Sequence, residues 1–356
     1  MRTVRPIRPT SPARRTCVMR HRAHPDSRSN LAVRWRGPES LTVEQVPFPS
    51  REPDEVVVKV ESAGVCGTDV SAWRGDVARI DDGTVIGHEF GGTIVEVGDG
   101  VDRWDVGQRV AIDPNDVCDR CDSCRTGSLG FCTQRRLMGI DLDGGMREYV
   151  AVKSQRLVPV GANTDPLALA LVEPVAVAVR ACARAGVVPG THVGVIGGGS
   201  IGTACVLHAR DLGVRSLTVV ESDPARRAIA AAHDVAAIAP GERPSSPWDS
   251  VIDTVGTSTT IGSSLGLVRA GGTVCVVGVA HDGSLPFAEK IVRDEITVTG
   301  SFCYSRRDLH EAADLVSRVE LSTFAVDVVH GLADVPTVFA SLANGIRGPG
   351  KAVVVP

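Results

Sequence analysis

Lysine is almost absent from this chain. Four lysines stand against 34 arginines in 356 residues, a bias that points to a GC-rich bacterial genome and carries no information about fold. A charge imbalance is also missing. The net charge is −4, so no global field draws the chain to nucleic acid. No apolar run reaches the ~18 residues of a membrane span, which leaves no membrane partner in this reading. No secretory signal opens the sequence, and a disulfide scaffold would be far shorter. Ten cysteines are present. Six lie outside the one Cys-rich segment, mostly in apolar stretches such as "GTVCVVG", and read as buried free thiols. That requires a reducing compartment, and the expected localisation is the cytoplasm.

The composition allows substantial cores. Apolar residues make up 43% and glycines number 38, and the length suits two domains. Residues 1–29 are rich in Arg and Pro with a single acid, Asp26, and read as a disordered tail. From Asn30 to about residue 160 the chain shows short β-branched or alternating runs such as "EVVVKVESAG" and "FGGTIVEVG", separated by Gly, Pro and Asp. From 161 the period changes. "DPLALALVEPVAVAVRACARAG" reads as a helix interrupted by Pro174. Strand and helix then alternate to about residue 302, which predicts a parallel sheet. The fold class expected is α/β, a β-rich domain followed by a doubly wound one. The last segment, 303–356, reads as a helix and strands that return to the first domain.

"GVIGGGSIG" holds Gly197, Gly199 and Gly202 in the spacing G-x-G-x-x-G, with Ser200 and Ile201 between the last two. By itself this signal is weak, but an apolar strand precedes it and a helix follows. Gly197 permits the tight turn, Gly199 lets a pyrophosphate approach, and Gly202 lets the helix pack closely. Glu221 ends the next strand, where a carboxylate binds ribose hydroxyls and repels a 2′-phosphate. The cofactor expected is therefore NAD. Arg226 and Arg227 stand near enough to leave NADP use as the alternative.

"CDRCDSCRTGSLGFC" brings Cys118, Cys121, Cys124 and Cys132 into a loop, 113–135, without a core pattern of its own. Four thiolates at this spacing suit a closed structural zinc site. Two disulfides, an Fe–S cluster and a nucleic-acid-binding ribbon are the competing readings. Asp116, Asp119 and Asp122 offset Arg120 and Arg125, which speaks against the ribbon. A second set is scattered: Cys66 in "GVCGTD", His88 and Glu89 in "GHEFGG", Glu173 in "LVEPVA". Together they supply the donors of a catalytic zinc, which takes about three protein ligands and keeps one position open.

With "GVCGTD", "GHEFGG", "VGQRVA", the four-Cys lobe, "LVEPVAVAV" and the Gly197 turn in that order, the sequence resembles the zinc-dependent medium-chain alcohol dehydrogenase family, in its polyol, butanediol and threonine dehydrogenase-like branch. The resemblance implies a GroES-like catalytic domain (30–160), a Rossmann domain (161–302) and a C-terminal return. It implies two zinc ions per subunit and a homodimer or homotetramer. Cys66, His88 and Glu173 would hold the catalytic zinc, with Glu89 a direct or exchanging ligand and Asp69 orienting His88. Thr68 would hydrogen-bond the substrate oxygen. The activity implied is hydride transfer between a secondary alcohol (diol, polyol or amino alcohol) or its ketone and the nicotinamide. A reductive or redox-neutral tailoring enzyme and a non-catalytic NAD-binding homologue are the alternatives. Two departures stand out. Many relatives carry His where this chain has Ser71, as a proton relay, and sorbitol-type enzymes often carry Arg where Cys303 stands.

Overall fold

The structure, a computed structural model, describes residues 30–280, 288–319, 324–346, 348 and 350–356. The expected tail, residues 1–29, and Cys17 within it lie outside the described residues.

Two sheets organise the chain. The first has seven strands, ordered Val326–His330, Lys351–Val355, Glu55–Gly64, Glu89–Val97, Arg109–Ile112 and Leu157–Pro159, with Tyr149–Lys153 also paired to Glu55–Gly64. All its pairings are antiparallel except that of the two C-terminal strands. Val56, Val58, Val60, Ile94, Val110 and Val152 point into one core. The alternation seen in the sequence is thus the two-residue period of strands with one buried face.

The second sheet has six parallel strands, ordered Ala236–Ile238, Ser216–Val220, His192–Ile196, Trp248–Asp253, Val268–Val276 and Thr297–Gly300. Chain order reverses between His192–Ile196 and Trp248–Asp253. Ligands of doubly wound sheets bind outside the carboxyl ends of the strands at such a point. The Gly197 turn follows directly on the first of these two strands.

Two sequence expectations change. Pro174 does not interrupt a helix. A 3-10 segment, Pro166–Leu171, runs into the helix Val172–Arg184, and Pro174 lies in the helix's first turn. Backbone N–H groups there have no intrahelical acceptor, so a missing one costs nothing. The membrane expectation also needs qualification. Pro166–Arg184 is long and apolar enough to cross a membrane by length and composition, but 67% of that window is buried inside the protein. Val175, Val179 and Cys182 are among its fully enclosed residues. It is a core helix. The C-terminal segment, finally, touches both halves: Tyr304 meets Asn115 and Arg306 pairs with Asp119. The helix Arg306–Val316 still packs its Leu309, Ala312 and Leu315 into the core shared with Val193 and Val195. The chain joins the first sheet only at Val326–His330.

Candidate active site

Strand register assembles the centre of the site. In the antiparallel pair, Gly64 stands opposite Glu89. Just past these ends lie Cys66 and His88, so the strand pair brings a thiol and an imidazole from separate motifs together. Cys66 caps the helix Gly67–Arg74, and its N–H donates to Asp69 Oδ2 at 2.8 Å. The other oxygen of Asp69, Oδ1, lies 2.9 Å from His88 Nδ1. That contact fixes the ring and leaves Nε2 as the remaining donor atom. Donor atoms of Cys66, His88 and Glu89 all lie within 4.8 Å of one another.

The electrostatics favour a cation here. Burial alone would depress the His88 pKa, but the facing charges of Asp69 and Cys66 hold it well above the ordinary value. Neither carboxylate oxygen of Glu89 receives an aligned hydrogen bond from any described residue, although the group is 1% exposed. A buried carboxylate is costly unless a positive charge meets it, and here the Lys351 ammonium does so on Oε2. Glu173 comes from the first turn of the helix Val172–Arg184. It stands outside the 4.8 Å group, yet it feels the charges of His88, Glu89 and Lys351. Burial pushes its carboxyl up to about 7. Soft, intermediate and hard donors converging here suit a zinc ion. Thr68 is exposed on the first turn of the Gly67–Arg74 helix, and Ser71 is half-buried one turn further on.

Residues that carried no sequence signal for this site join it. Lys351, from the last strand, is 4% exposed and forms an ion pair with Glu89 Oε2. Asn115 Nδ2 donates to Asp113 Oδ1 at 2.9 Å and to Tyr304 Oη at 2.8 Å. Arg135 Nε donates to Asn115 Oδ1 at 2.6 Å. Burial and the charges of Glu173 and Asp113 lift the Tyr304 hydroxyl well above its usual range. Burial pushes the Cys303 thiol, next in this row, up to about 11. A lysine opening an apolar strand was the one available hint for Lys351. The Asn115–Tyr304 contact had none, being a product of tertiary packing.

The lobe is a separate centre. Sulfurs of Cys118 and Cys124 lie 3.9 Å apart, those of Cys121 and Cys124 3.5 Å, and those of Cys132 and Cys118 3.6 Å. All nine cysteines among the described residues are free, so no disulfide staples the lobe. A tetrahedron with metal–sulfur bonds of ~2.3 Å has edges of roughly 3.8 Å, and the observed separations match. Backbone N–H groups of Arg120 and Cys121 bring the Cys118 thiol down to about 6, while burial and the neighbouring cysteines push that of Cys124 up to about 12, so a metal held here would displace protons. The lobe's own apolar core is only Val117, Leu129 and Cys132, with the other three cysteines packed against it.

The Gly197 turn joins the strand His192–Ile196 to the helix Ser200–Asp211. Gly197 adopts φ 93°, and a Cβ there would stand 2.6 Å from Thr254 Oγ1. A Cβ on Gly202 would overlap the Gly197 carbonyl, so the helix Ser200–Asp211 can pack only with glycine there. A Cβ on Gly199 would meet nothing nearer than Arg226 Nη1 at 4.0 Å, which leaves space for a phosphate. Ser200 and Ile201 open the helix whose N-terminus faces that space. Glu221 follows the strand Ser216–Val220 and is 7% exposed. Its carboxylate accepts from Gly198 N at 2.6 Å and Asp223 N at 2.8 Å. Burial opposes its charge, but these amide bonds prevail and hold its pKa below the usual value. Beside it opens a cleft of about 840 Å³, lined also by Gly197, Ser222, Arg243 and Thr257.

Known proteins share these features. The model of the alcohol dehydrogenase GroES-like domain matches residues 52–162, and that of the zinc-binding dehydrogenase matches residues 200–318. L-galactonate-5-dehydrogenase of Escherichia coli (strain K12) is 31% identical over 297 residues, 80% of this chain and 86% of that protein. L-idonate 5-dehydrogenase of Vitis vinifera is 31% identical over 77% of this chain and 80% of its own length. A crystal structure of a zinc-binding dehydrogenase from Sinorhizobium meliloti 1021 bound to NADP superposes with a TM-score of 0.85 at 30% identity, covering 92% of this chain and all of that one. With a GroES-like domain, a parallel Rossmann sheet and relatives of this identity and coverage, the chain belongs to the zinc-dependent medium-chain alcohol dehydrogenase family.

Proposed function

We propose that this protein oxidises a secondary hydroxyl of a polyhydroxylated substrate, a polyol or sugar acid, with NAD as hydride acceptor, and that it holds two zinc ions per chain. The observation that carries this reading is the convergence of Cys66, His88 and Glu89 beside a half-buried Glu173. The names of the sugar-acid dehydrogenases above support the substrate class.

Cys66, His88 and Glu173 would hold the catalytic zinc, and Cys118, Cys121, Cys124 and Cys132 the structural one. The catalytic ion supplies Lewis acidity, which lowers the pKa of an alcohol and polarises a carbonyl. The chain does the rest. Asp69 fixes the His88 ring through Nδ1. Thr68 offers its hydroxyl to the substrate oxygen as the first proton acceptor. Glu221 offers its carboxylate to the ribose hydroxyls. The N–H groups that open the Ser200–Asp211 helix meet the pyrophosphate.

NADP is the second reading. It is favoured by Arg226, whose guanidinium reaches the Gly199 turn, and by the NADP-bound relative. Metal analysis and a substrate panel test the proposal together. The protein should carry two zinc atoms per chain, falling to one in Cys66→Ala. Aldonates, polyols and vicinal diols, each offered with NAD⁺ and NADP⁺, should give cofactor reduction with at least one class. One zinc in the wild type, or no reduction across the panel, overturns the reading. Light scattering decides between the expected homodimer and homotetramer.

A further inference from the structure

Lys351 and Glu89 form a buried ion pair at the edge of the metal-ligand cluster. Each member is placed by strand register. Val353 stands opposite Gly64 in the C-terminal strand, and Val65 N–H donates to Ala352 O at 3.0 Å. Continuing that register sets Lys351 across from Cys66, while Gly64 sets Glu89 on its other side. Gly64 has no side chain because the pair occupies the space. A Cβ there would collide with Glu89 Oε2 and stand 3.0 Å from Lys351 Cε. The backbone of Lys351 is tied as well, its N–H donating to Ala325 O at 2.7 Å. Side-chain exposures are 3% for Lys351 and 1% for Glu89.

Four protein donors around one zinc close its shell, as in structural sites, whereas a catalytic ion needs an open position. This site offers four: Cys66, His88, Glu89 and Glu173. Glu89 has no aligned hydrogen bond from any described residue to restrain it. The group that does restrain it is the ammonium of Lys351. Cys66, Asp69, Glu89 and Glu173 also bring more negative charge than a divalent ion neutralises, and Lys351 is the cation facing Glu89.

We propose that Lys351 is a positioning residue that retains the Glu89 carboxylate and so keeps the fourth position of the metal at Cys66 and His88 open. This rests on the metal reading above. Removing the ammonium leaves a buried, uncompensated carboxylate, and the metal is the nearest remaining positive charge. The site then closes on Glu89.

Cobalt(II)-substituted protein reports this without turnover. Imidazole entering an open position changes the visible ligand-field spectrum, while the closed four-thiolate lobe contributes a constant background. Wild type should give a saturable change with imidazole. Lys351→Met should bind imidazole at least tenfold more weakly, Lys351→Arg should bind as wild type does, and Lys351→Met/Glu89→Gln should regain the response. Glu89→Gln alone keeps the lysine and guards against loss of folding in Lys351→Met. It should bind imidazole at least as tightly as wild type. Unaltered titration in Lys351→Met, a closed double variant, or weakened binding in Glu89→Gln overturns the proposal. A wild type with full cobalt content that never responds to imidazole overturns the metal reading itself.

Discussion

Asp69 grips His88 from the side opposite the metal-facing nitrogen, with Oδ1 2.9 Å from Nδ1. Asp69 is 1% exposed and spends its second oxygen on the Cys66 amide. One carboxylate therefore orients both candidate ligands. Asp69→Asn can keep one of these contacts but loses the charge behind the imidazole. Partners of this kind typically change metal affinity 10–100-fold. Competition against a chromophoric chelator should show a loss of roughly that size for one zinc, with the second unchanged. Equal retention of both ions would mean that the ring is held by packing alone.

The lobe responds to a different logic. Its sulfurs already stand at tetrahedral edge distances, and its apolar core is three residues. The metal must supply most of its folding energy. Cys121→Ser should lose one zinc and lower Tm by at least about 5 °C, since each kcal/mol moves Tm by roughly 2–4 °C for domains of 150–250 residues. Cys66→Ala, which also loses one zinc, should leave Tm within a few degrees of wild type. Differential scanning calorimetry on both variants decides, and equal losses would remove the distinction between a structural and a catalytic centre.

Cofactor choice turns on Glu221. Its carboxylate is held ionised by two backbone amides, and it would repel a 2′-phosphate while accepting from ribose hydroxyls. Glu221→Gln retains an acceptor for Gly198 N–H and removes the charge. NAD⁺ affinity should fall and the preference over NADP⁺ should shrink about tenfold, or ~1.4 kcal/mol. Titration calorimetry with both cofactors measures this. A wild type that already binds NADP⁺ tenfold more tightly would assign the pocket to Arg226 instead.

What could be read from the sequence was local. The four lobe cysteines lie within fifteen residues, and the Gly197 turn is a single strand–turn–helix, so spacing carries their geometry. Cys66 and His88 come from separate motifs, and only the Gly64–Glu89 register shows how they meet. Lys351 and Tyr304 sit far along the chain from the partners they touch. No periodicity encodes such contacts. Pro174 misled because a helix-breaking residue is harmless in a first turn, and helix starts are poorly defined by apolar runs without a cap signal.

The final prediction concerns Ser71, half-buried one helical turn beyond Thr68. If proton exit from Thr68 limits oxidation, a group that titrates near neutrality should speed it. A hydroxyl cannot do this, whereas an imidazole titrates near pH ~6.5. Ser71→His should raise kcat for alcohol oxidation roughly tenfold at neutral pH, at the low end of what proton-transfer help supplies. The gain should fade at high pH, where hydroxide removes the proton directly. The same imidazole would deliver the proton in ketone reduction, so that direction should gain wherever proton entry limits it. Zinc content must match wild type for the comparison to hold. The pH profiles of kcat in both directions are the measurement. Superimposable profiles would show that a water chain beside Ser71 already carries the proton, and would move the rate limit to hydride transfer or cofactor release.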